Sequence, residues 1–169
     1  MYVASRADVE REIDIAQPHA VVSIRCPGSD TVALAKNPHT GRIMRLCFHD
    51  VDRWPSRALQ SRLCLPVVMF DTSTAASVAA FVRECVAAGV DALMVQCEMG
   101  ISRSAAVAAA VDQCVNGNDC SEFDRSEFDR HATMLTDYSP NPLVRRLMVD
   151  ALQMGTSDHP DSREAACQR

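Results

Sequence analysis

The sequence predicts an α/β fold in which helices flank a central, mainly parallel sheet. Short β-branched and apolar runs that fit strands alternate along the chain with helical patterns, and this alternation is typical of parallel sheets. With 169 residues, 47% of them hydrophobic, the chain is long enough to bury a core. We expect a single domain over residues 1–154.

The first part of the chain contains three predicted elements. Residues 7–15 have the apolar spacing of a short amphipathic helix. Residues 21–24 form a β-branched run that ends at a Cys-Pro-Gly sequence, which predicts a strand followed by a turn. Residues 43–48 alternate in character and predict another strand.

The next elements lead into and out of Cys97. Residues 71–73 offer capping side chains for a helix that ends at Gly89. The apolar positions of that helix are Val78, Phe81, Val82 and Cys85. Residues 93–95 predict a strand, residues 104–115 predict an alanine-rich helix, and the Asn-Gly-Asn sequence at residues 116–118 ends that helix.

The last third of the chain opens with a direct repeat, Ser-Glu-Phe-Asp-Arg, which occurs twice over residues 121–130. Each copy starts with a Ser-x-x-Asp pattern typical of a helix N-terminus, but we interpret the repeat as a small duplication with a solvated charged face. Pro142 stands in the first turn of a final helix predicted over residues 142–154. Residues 155–169 are polar and aperiodic, which predicts a disordered tail.

The most informative stretch is residues 93–111, an apolar strand, a glycine-containing loop and an alanine-rich helix. The backbone N–H groups of such a loop converge on one anion, and the helix N-terminus adds positive potential. Both features stabilise a thiolate of Cys97 at the floor of the loop. Arg103 closes the loop with a planar fork of donors that suits two phosphate oxygens. Ser104 follows at the helix start, where its hydroxyl can cap the helix or bond the sulfur.

The spacing of Cys97 and Arg103 is weak evidence alone, because about one such pair is expected by chance among eight cysteines and sixteen arginines. Cys47 and Arg53 have the same spacing. The residues between them lack glycine, include two carboxylates that would repel phosphate, and lead into Trp54 rather than into a helix. Only the Cys97 copy has the strand, the glycine and the helix.

Residues 97–104 read Cys-Glu-Met-Gly-Ile-Ser-Arg-Ser. They resemble the signature loop of the dual-specificity branch of the cysteine-based protein tyrosine phosphatases, Cys-x-x-Gly-x-Ser-Arg-Ser. Residues 139–147 resemble the Pro-Asn segment that opens the last helix of that family. About residues 20–153 can be laid onto the family's order of elements, so the resemblance implies a dual-specificity phosphatase-like α/β fold.

The resemblance also implies an activity: hydrolysis of phosphotyrosine, with phosphoserine and phosphothreonine as further candidates, in a phosphorylated protein or peptide. Cys97 would attack phosphorus to form a cysteinyl phosphate, and Ser104 would help the thiolate depart. The residues that would hold the phosphate are those of the loop: Glu98, Met99, Gly100, Ile101, Ser102 and Arg103. No metal and no cofactor are expected, because the loop and the arginine supply the charge that a metal would.

The leaving oxygen must receive a proton, and Asp50 is the candidate general acid. In the resembling family the acid lies on the loop after a strand such as residues 43–48, and Leu46 matches the apolar residue that precedes the acid there. Asp52 is the alternative. The separation from Cys97 is longer than usual in the family, which suggests an insertion over residues 54–66.

Two residues depart from the family pattern. The residue before the cysteine is usually His and here is Gln96, which brings no positive charge to the thiolate. Glu98 places an acid beside the nucleophile, whereas lipid-phosphate members tend to have lysines in this loop. Inositol lipids and capped or triphosphorylated RNA are therefore disfavoured as substrates. His49 and His131 have no identifiable partner and are interpreted as structural or exposed.

Composition argues against several other classes of function. The net charge is −5 and Lys36 is the single lysine, so nucleic acid is not an expected partner. Charged residues interrupt every apolar run well short of a membrane span, and the first residues lack the pattern of a secretory signal. The eight cysteines are irregularly spaced, so we expect reduced thiols in a cytoplasmic protein. The oligomeric state stays open.

Two other classes of function remain open. A phosphate-binding module without turnover would use the same loop, and Gln96 favours it. A rhodanese-like sulfur transferase also presents a cysteine in an anion-binding loop, but it needs no aspartate acid and usually lacks the Gly-x-Ser-Arg-Ser run. The low-molecular-weight phosphatases place their loop near the N-terminus and their acid downstream, the reverse of this chain.

Overall fold

Parallel strands form the centre of the fold. The computed structural model describes residues 1–11, 15–34, 39–54, 60, 66–117 and 138–154. Within these ranges the strands, in the spatial order β1-β4-β2-β3, are β1 (Tyr2–Ser5), β2 (His19–Arg25), β3 (Thr40–Cys47) and β4 (Ala92–Cys97). Every pairing between them is parallel, which confirms the predicted α/β fold with a mainly parallel central sheet.

Helices flank this sheet in the described part of the chain. They are α1 (Arg6–Glu10), α2 (Thr72–Ala87), α3 (Arg103–Val111), which continues into a π-helical turn over Asp112–Asn116, and α4 (Pro142–Met154). All nine residues of α3 are buried. A helix that is apolar on all sides belongs in the interior, and the small alanine side chains let α3 contact both β4 and α4.

The core lies on both faces of the sheet. On one face, Val22 and Val95 pack against α2, α3 and α4. On the other face, Val21 and Met94 form a smaller cluster that includes Val9 of α1. Successive residues of a strand point to opposite faces, so β2 and β4 are buried on both sides. Because the strands are parallel, their carboxyl ends meet at one edge, where open α/β sheets bind ligands.

The predicted strands and the last helix are confirmed. β2 and β4 contain the runs predicted over residues 21–24 and 93–95, and β3 overlaps the run predicted over residues 43–48. α4 has the predicted bounds.

Helix α2 also forms where the capping residues predict it. The carboxylate of Asp71 accepts a hydrogen bond from the backbone N–H of Thr74 at 2.8 Å. Beyond the C-terminus, Gly89 has a φ of 68°, a conformation that glycine adopts without strain. Three of the predicted apolar positions are buried, and the fourth, Phe81, is partly buried.

Three boundaries differ from the predictions. α1 ends at Glu10 with Arg11 as its C-cap, rather than at residue 15, and Ile15 is buried in the second core cluster outside the helix. The predicted helix over residues 104–115 becomes π-helical at Asp112. β1 was not predicted, since four residues are too few to show alternation and pairing with β4 stabilises them. The repeat at residues 121–130, most of the insertion predicted over residues 54–66 and residues 155–169 lie outside the described ranges.

Candidate active site

Cys97 is the last residue of the central strand β4 and lies at the carboxyl edge of the sheet. Its neighbour in the pairing with β1 is Ser5. Residues 98–102 connect it to α3, which starts at Arg103. The predicted order of strand, loop and helix is therefore present, with the sulfur between a strand end and a helix N-terminus.

The sulfur of Cys97 contacts polar groups of the loop and the helix. The backbone N–H of Gly100 donates a hydrogen bond to Sγ at 3.2 Å. The hydroxyl oxygen of Ser104 lies 3.0 Å from Sγ. Cys97 exposes only 2% of its surface, so the sulfur lies at the floor of the loop as predicted.

Gly100 lets the loop fold against β1. Its φ is 72°, and a Cβ at this position would lie 2.8 Å from the backbone nitrogen of Ser5 and 3.0 Å from the carbonyl carbon of Ala4. A second contact holds the same loop to the chain after β1, because the N–H of Arg6 donates to the carbonyl of Glu98 at 3.2 Å. Only glycine fits both the conformation and the space.

Arg103 joins the loop to the end of β3. It is 3% exposed, and its Nη1 donates a hydrogen bond to the carbonyl oxygen of Phe48 at 2.9 Å. Its guanidinium carbon lies 6.0 Å from the centre of the Phe48 ring, within the range of a cation–π contact. Its Nε is buried and has no hydrogen-bond partner. A buried donor without an acceptor is costly, so this N–H is available to an acceptor from a ligand.

Asp50 lies just beyond β3 and is tied to the loop. The hydroxyl of Ser102 and the side-chain amide of Asn141 each donate a hydrogen bond to its Oδ1 at 2.8 Å. Its Oδ2 lies 3.9 Å from Nε of Arg103. Asp52 is exposed and makes none of these contacts. Of the two candidate acids, the fold brings Asp50 to the cysteine loop.

Asn141 was not predicted as a site residue. It is 4% exposed, and its Oδ1 accepts hydrogen bonds from the backbone N–H groups of Leu143 and Val144, both at 3.1 Å. The backbone N–H of Asn141 donates to the carbonyl oxygen of Ser102 at 3.2 Å. The local signal was an asparagine one residue before a helix that begins with proline, but that pattern predicts only a helix cap.

One predicted detail of the loop is wrong. Ser104 does not cap α3, because it lies within the first turn and Ser102 occupies the N-cap position. The hydroxyl of Ser102 binds Asp50 instead of an N–H of the helix. The first N–H groups of α3 therefore have no side-chain cap from Ser102. The hydroxyl of Ser104 contacts the sulfur of Cys97 instead, which was the alternative prediction.

The remaining loop residues differ in exposure. Met99 is 70% exposed, whereas Ile101 is partly buried. Oε2 of Glu98 lies 3.9 Å from Nη1 of Arg6, and Oε1 is buried without a hydrogen-bond partner. Arg6 also donates to Glu10 at 2.9 Å, and this hydrogen bond raises the pKa of the guanidinium. Glu98 is thus partly balanced by a cation of α1.

Gln96, the residue before Cys97, is fully buried. Its Oε1 accepts a hydrogen bond from the hydroxyl of Ser23 at 2.9 Å, so it links β4 to β2. Its Nε2 is buried and has no hydrogen-bond partner. The side chain is adjacent to Cys97 along the strand but, by the alternation of a β-strand, lies on the opposite face of the sheet.

The second Cys-x5-Arg pair does not form a site of this kind. Cys47 ends β3 and is exposed, and Arg53 and the following Trp54 are exposed as well. His49, between them, accepts a hydrogen bond at Nδ1 from the N–H of Val68 at 3.0 Å, which fits its structural interpretation. His131 lies outside the described ranges.

The described residues contain no group of three His, Cys, Asp or Glu side chains that could hold a metal ion. The five cysteines among them, Cys26, Cys47, Cys85, Cys97 and Cys114, are free thiols. No helix in the described ranges is both long and apolar enough to cross a membrane.

The fold and the site together define an α/β protein in which a cysteine and an arginine flank a glycine-containing loop at the carboxyl edge of a parallel sheet. No protein-family model matches the chain, and no curated protein sequence matches it. Among solved structures, it is similar to the crystal structure of the human tyrosine phosphatase-like serine/threonine/tyrosine-interacting protein. The TM-score is 0.45 and the identity 18%, over 82% of this chain and 76% of that chain. This similarity is too distant to bear on the chemistry of the site.

Proposed function

We propose that the protein is a cysteine-dependent phosphatase of the dual-specificity type that hydrolyses phosphate monoesters. One observation carries this proposal: the buried sulfur of Cys97 and the buried, unpartnered Nε of Arg103 flank the same loop, and an N–H of that loop donates to the sulfur. A nucleophile and a free donor in one loop suit an anion whose central atom is attacked while its oxygens are held.

The first chemical step is attack by the Cys97 thiolate on phosphorus. The S–P bond forms as the bond from phosphorus to the leaving oxygen breaks, and the electron pair of that bond goes to the leaving oxygen. Asp50 donates a proton to this oxygen, so the alcohol or phenol departs neutral. Arg103 and the loop amides hold the non-bridging oxygens, where negative charge must be stabilised in the transition state.

The second step regenerates the enzyme. Asp50, now a carboxylate, accepts a proton from water while the water oxygen attacks phosphorus and the S–P bond breaks. The hydroxyl of Ser104, 3.0 Å from the sulfur, is placed to donate to the departing thiolate. Inorganic phosphate leaves, and Asp50 again carries the proton for the next cycle.

The proposed substrate is a phosphorylated protein or peptide, with phosphotyrosine first and phosphoserine or phosphothreonine next. Exposed Met99 on the loop offers apolar contact to an aryl leaving group. The carboxylate of Glu98 and the net charge of −5 disfavour a substrate with several phosphates. We also propose a cytoplasmic location, because the mechanism needs a reduced Cys97 thiol and the cytosol keeps thiols reduced.

Vanadate-sensitive turnover of a phosphopeptide panel tests this proposal. We expect release of inorganic phosphate from phosphotyrosine peptides. Vanadate should inhibit this release, because it adopts the five-coordinate geometry of phosphorus in the transition state. An absence of phosphate release from every peptide and from small aryl phosphates would contradict it. Sulfur transfer from thiosulfate in the same preparation would instead favour a rhodanese-like transferase.

A second candidate function is a phosphate-binding module without turnover. Gln96 favours it, because the side chain next to Cys97 is buried, neutral and bonded to Ser23 rather than to the loop. Such a module would bind a phosphopeptide through Arg103 and the loop amides but release no phosphate. Detectable turnover of a small aryl phosphate that is lost on substitution of Cys97 decides against it.

A further inference from the structure

Asn141 connects three parts of the site that are far apart in sequence. Asn141 directly precedes α4. Its backbone N–H donates to the carbonyl oxygen of Ser102 in the cysteine loop, and its side-chain Nδ2 donates to Asp50 beyond β3. Asn141 itself is 4% exposed.

The orientation of the Asn141 amide is determined by α4. Its Oδ1 accepts the N–H groups of Leu143 and Val144, which are donors only. Turning the amide over would place its NH₂ group against those two N–H groups and its oxygen against the carboxylate of Asp50. Both contacts would be repulsive, so Nδ2 faces Asp50 whatever the neighbouring side chains do.

The two hydrogen bonds to Asp50 converge on a single oxygen. Ser102 and Asn141 both donate to Oδ1 at 2.8 Å, and Oδ2 accepts no hydrogen bond from the described part of the chain. A carboxyl group whose one oxygen is occupied by two donors carries its proton on the other oxygen. The bound oxygen also fixes the rotation of the group, and with it the direction in which Oδ2 points.

We propose that Asn141 is a positioning residue for the general acid, which anchors Asp50 to the N-terminus of α4 so that Oδ2 holds and delivers the proton. This inference rests on the proposed function. Ser102 alone is a weaker anchor, because its hydroxyl can rotate away and its side chain is more exposed. The amide of Asn141 cannot rotate without breaking the helix cap.

The alternative is that Asn141 only caps α4, and two substitutions separate the roles. Aspartate and serine are both good N-cap residues, so Asn141→Asp and Asn141→Ser keep an acceptor for the helix. Neither keeps the donor to Asp50. In Asn141→Asp a carboxylate oxygen replaces Nδ2 and repels Oδ1, and in Asn141→Ser the shorter side chain bonds the helix and leaves Asp50 unanchored.

The measurement compares two substrates that differ in their need for an acid. Phenyl phosphate has a poor leaving group that must be protonated, whereas 2,4-dinitrophenyl phosphate has a leaving group that departs without a proton. We expect both variants to lose about tenfold or more in kcat on phenyl phosphate and about twofold or less on 2,4-dinitrophenyl phosphate. The ratio of the two rates does not depend on the fraction of protein that is folded, so a loss of stability cannot imitate this result.

Asp50→Asn is the matched control, and it distinguishes two kinds of failure. If both Asn141 variants lose equal activity on the two substrates while Asp50→Asn shows a clear difference between them, the proposed role of Asn141 is overturned. The assignment of Asp50 as the acid would then still stand. If Asp50→Asn also shows no difference between substrates, then the assignment of the acid in the proposed function fails. Urea unfolding midpoints of the Asn141 variants near that of the parent would agree with a retained helix cap.

Discussion

Nη1 of Arg103 donates a hydrogen bond to the carbonyl oxygen of Phe48 at 2.9 Å, which joins the start of α3 to the end of β3. The contact spans 55 positions of the chain and is buried. It orients the guanidinium, and it brings the loop after β3 to the cysteine. Asp50 follows Phe48 by two residues, so the same hydrogen bond relates Arg103 to the candidate general acid.

Arg103→Lys should lower kcat/KM for p-nitrophenyl phosphate by about a hundredfold or more. Lysine keeps the charge but lacks the planar fork that can bond Phe48 and the phosphate at once. The matched control is Arg53→Lys in the second Cys-x5-Arg pair, which should leave the kinetics unchanged. Comparable losses in the two variants would show that the position of Arg103 in the loop has no special role.

The two candidate acids are separated by their asparagine variants. Asp50→Asn should lower kcat on a phosphotyrosine peptide by roughly a hundredfold or more, because the amide cannot donate the proton that the leaving oxygen needs. Asp52→Asn should have a minor effect, since Asp52 makes none of the contacts that hold Asp50 at the loop. Steady-state kinetics of both variants test this, and the reverse ranking would assign the acid to Asp52.

Gly100→Ala should impair both stability and turnover. A Cβ at residue 100 meets backbone at 2.8 Å in addition to a φ of 72°, so the loop must move away from β1. Gly89→Ala is the control, since it has a similar φ of 68° with no atom within 4 Å of the added Cβ. We expect Gly89→Ala to cost about 1–2 kcal/mol in urea unfolding with normal turnover, and Gly100→Ala to cost more and to lose most activity. Equal effects of Gly100→Ala and Gly89→Ala on activity would contradict a role for the close approach of Gly100 to β1.

Asp71→Ala should destabilise the fold by about 1 kcal/mol at neutral pH, because it removes the cap of α2. Hydrogen bonds from Thr74, first its side chain and then its backbone, lower the pKa of Asp71 in the folded protein. The stabilisation is therefore complete above the unfolded-state pKa, near 4, and is lost as pH falls through the lower folded-state value. Urea unfolding should show the difference between parent and Asp71→Ala shrinking in acid. If the difference in unfolding free energy between the parent and Asp71→Ala grows in acid, the lowered pKa of Asp71 is contradicted.

The elements that the sequence predicts best are those with local signals. α4 begins with a proline, and α2 is capped by Asp71 and ends two residues before Gly89. Each of these signals lies within a few residues of the boundary that it sets. Cys97 and Arg103 could be predicted for the same reason, since strand, loop and helix are contiguous.

The remaining features depend on contacts between distant residues. The bond from Asn141 to Asp50 joins positions 91 residues apart, and the amide of Asn141 gives no local sign of it. β1 exists because it pairs with β4 across some 90 residues of chain. Ser102 and Ser104 both suit an N-cap, so the sequence alone does not show that Ser102 occupies the N-cap position of α3 while Ser104 contacts the sulfur.

The central claim is that Cys97 forms a covalent bond to phosphorus, and trapping of the phosphoenzyme tests it most directly. The parent protein is mixed with an aryl phosphate, quenched in acid within one turnover and digested for mass spectrometry. We predict phosphate on the peptide that contains Cys97 in the parent and in Cys47→Ser, and neither phosphoenzyme nor turnover in Cys97→Ser. Hydrolysis at the parent rate by Cys97→Ser, with no phosphate on the cysteine peptide of the parent, would contradict the mechanism.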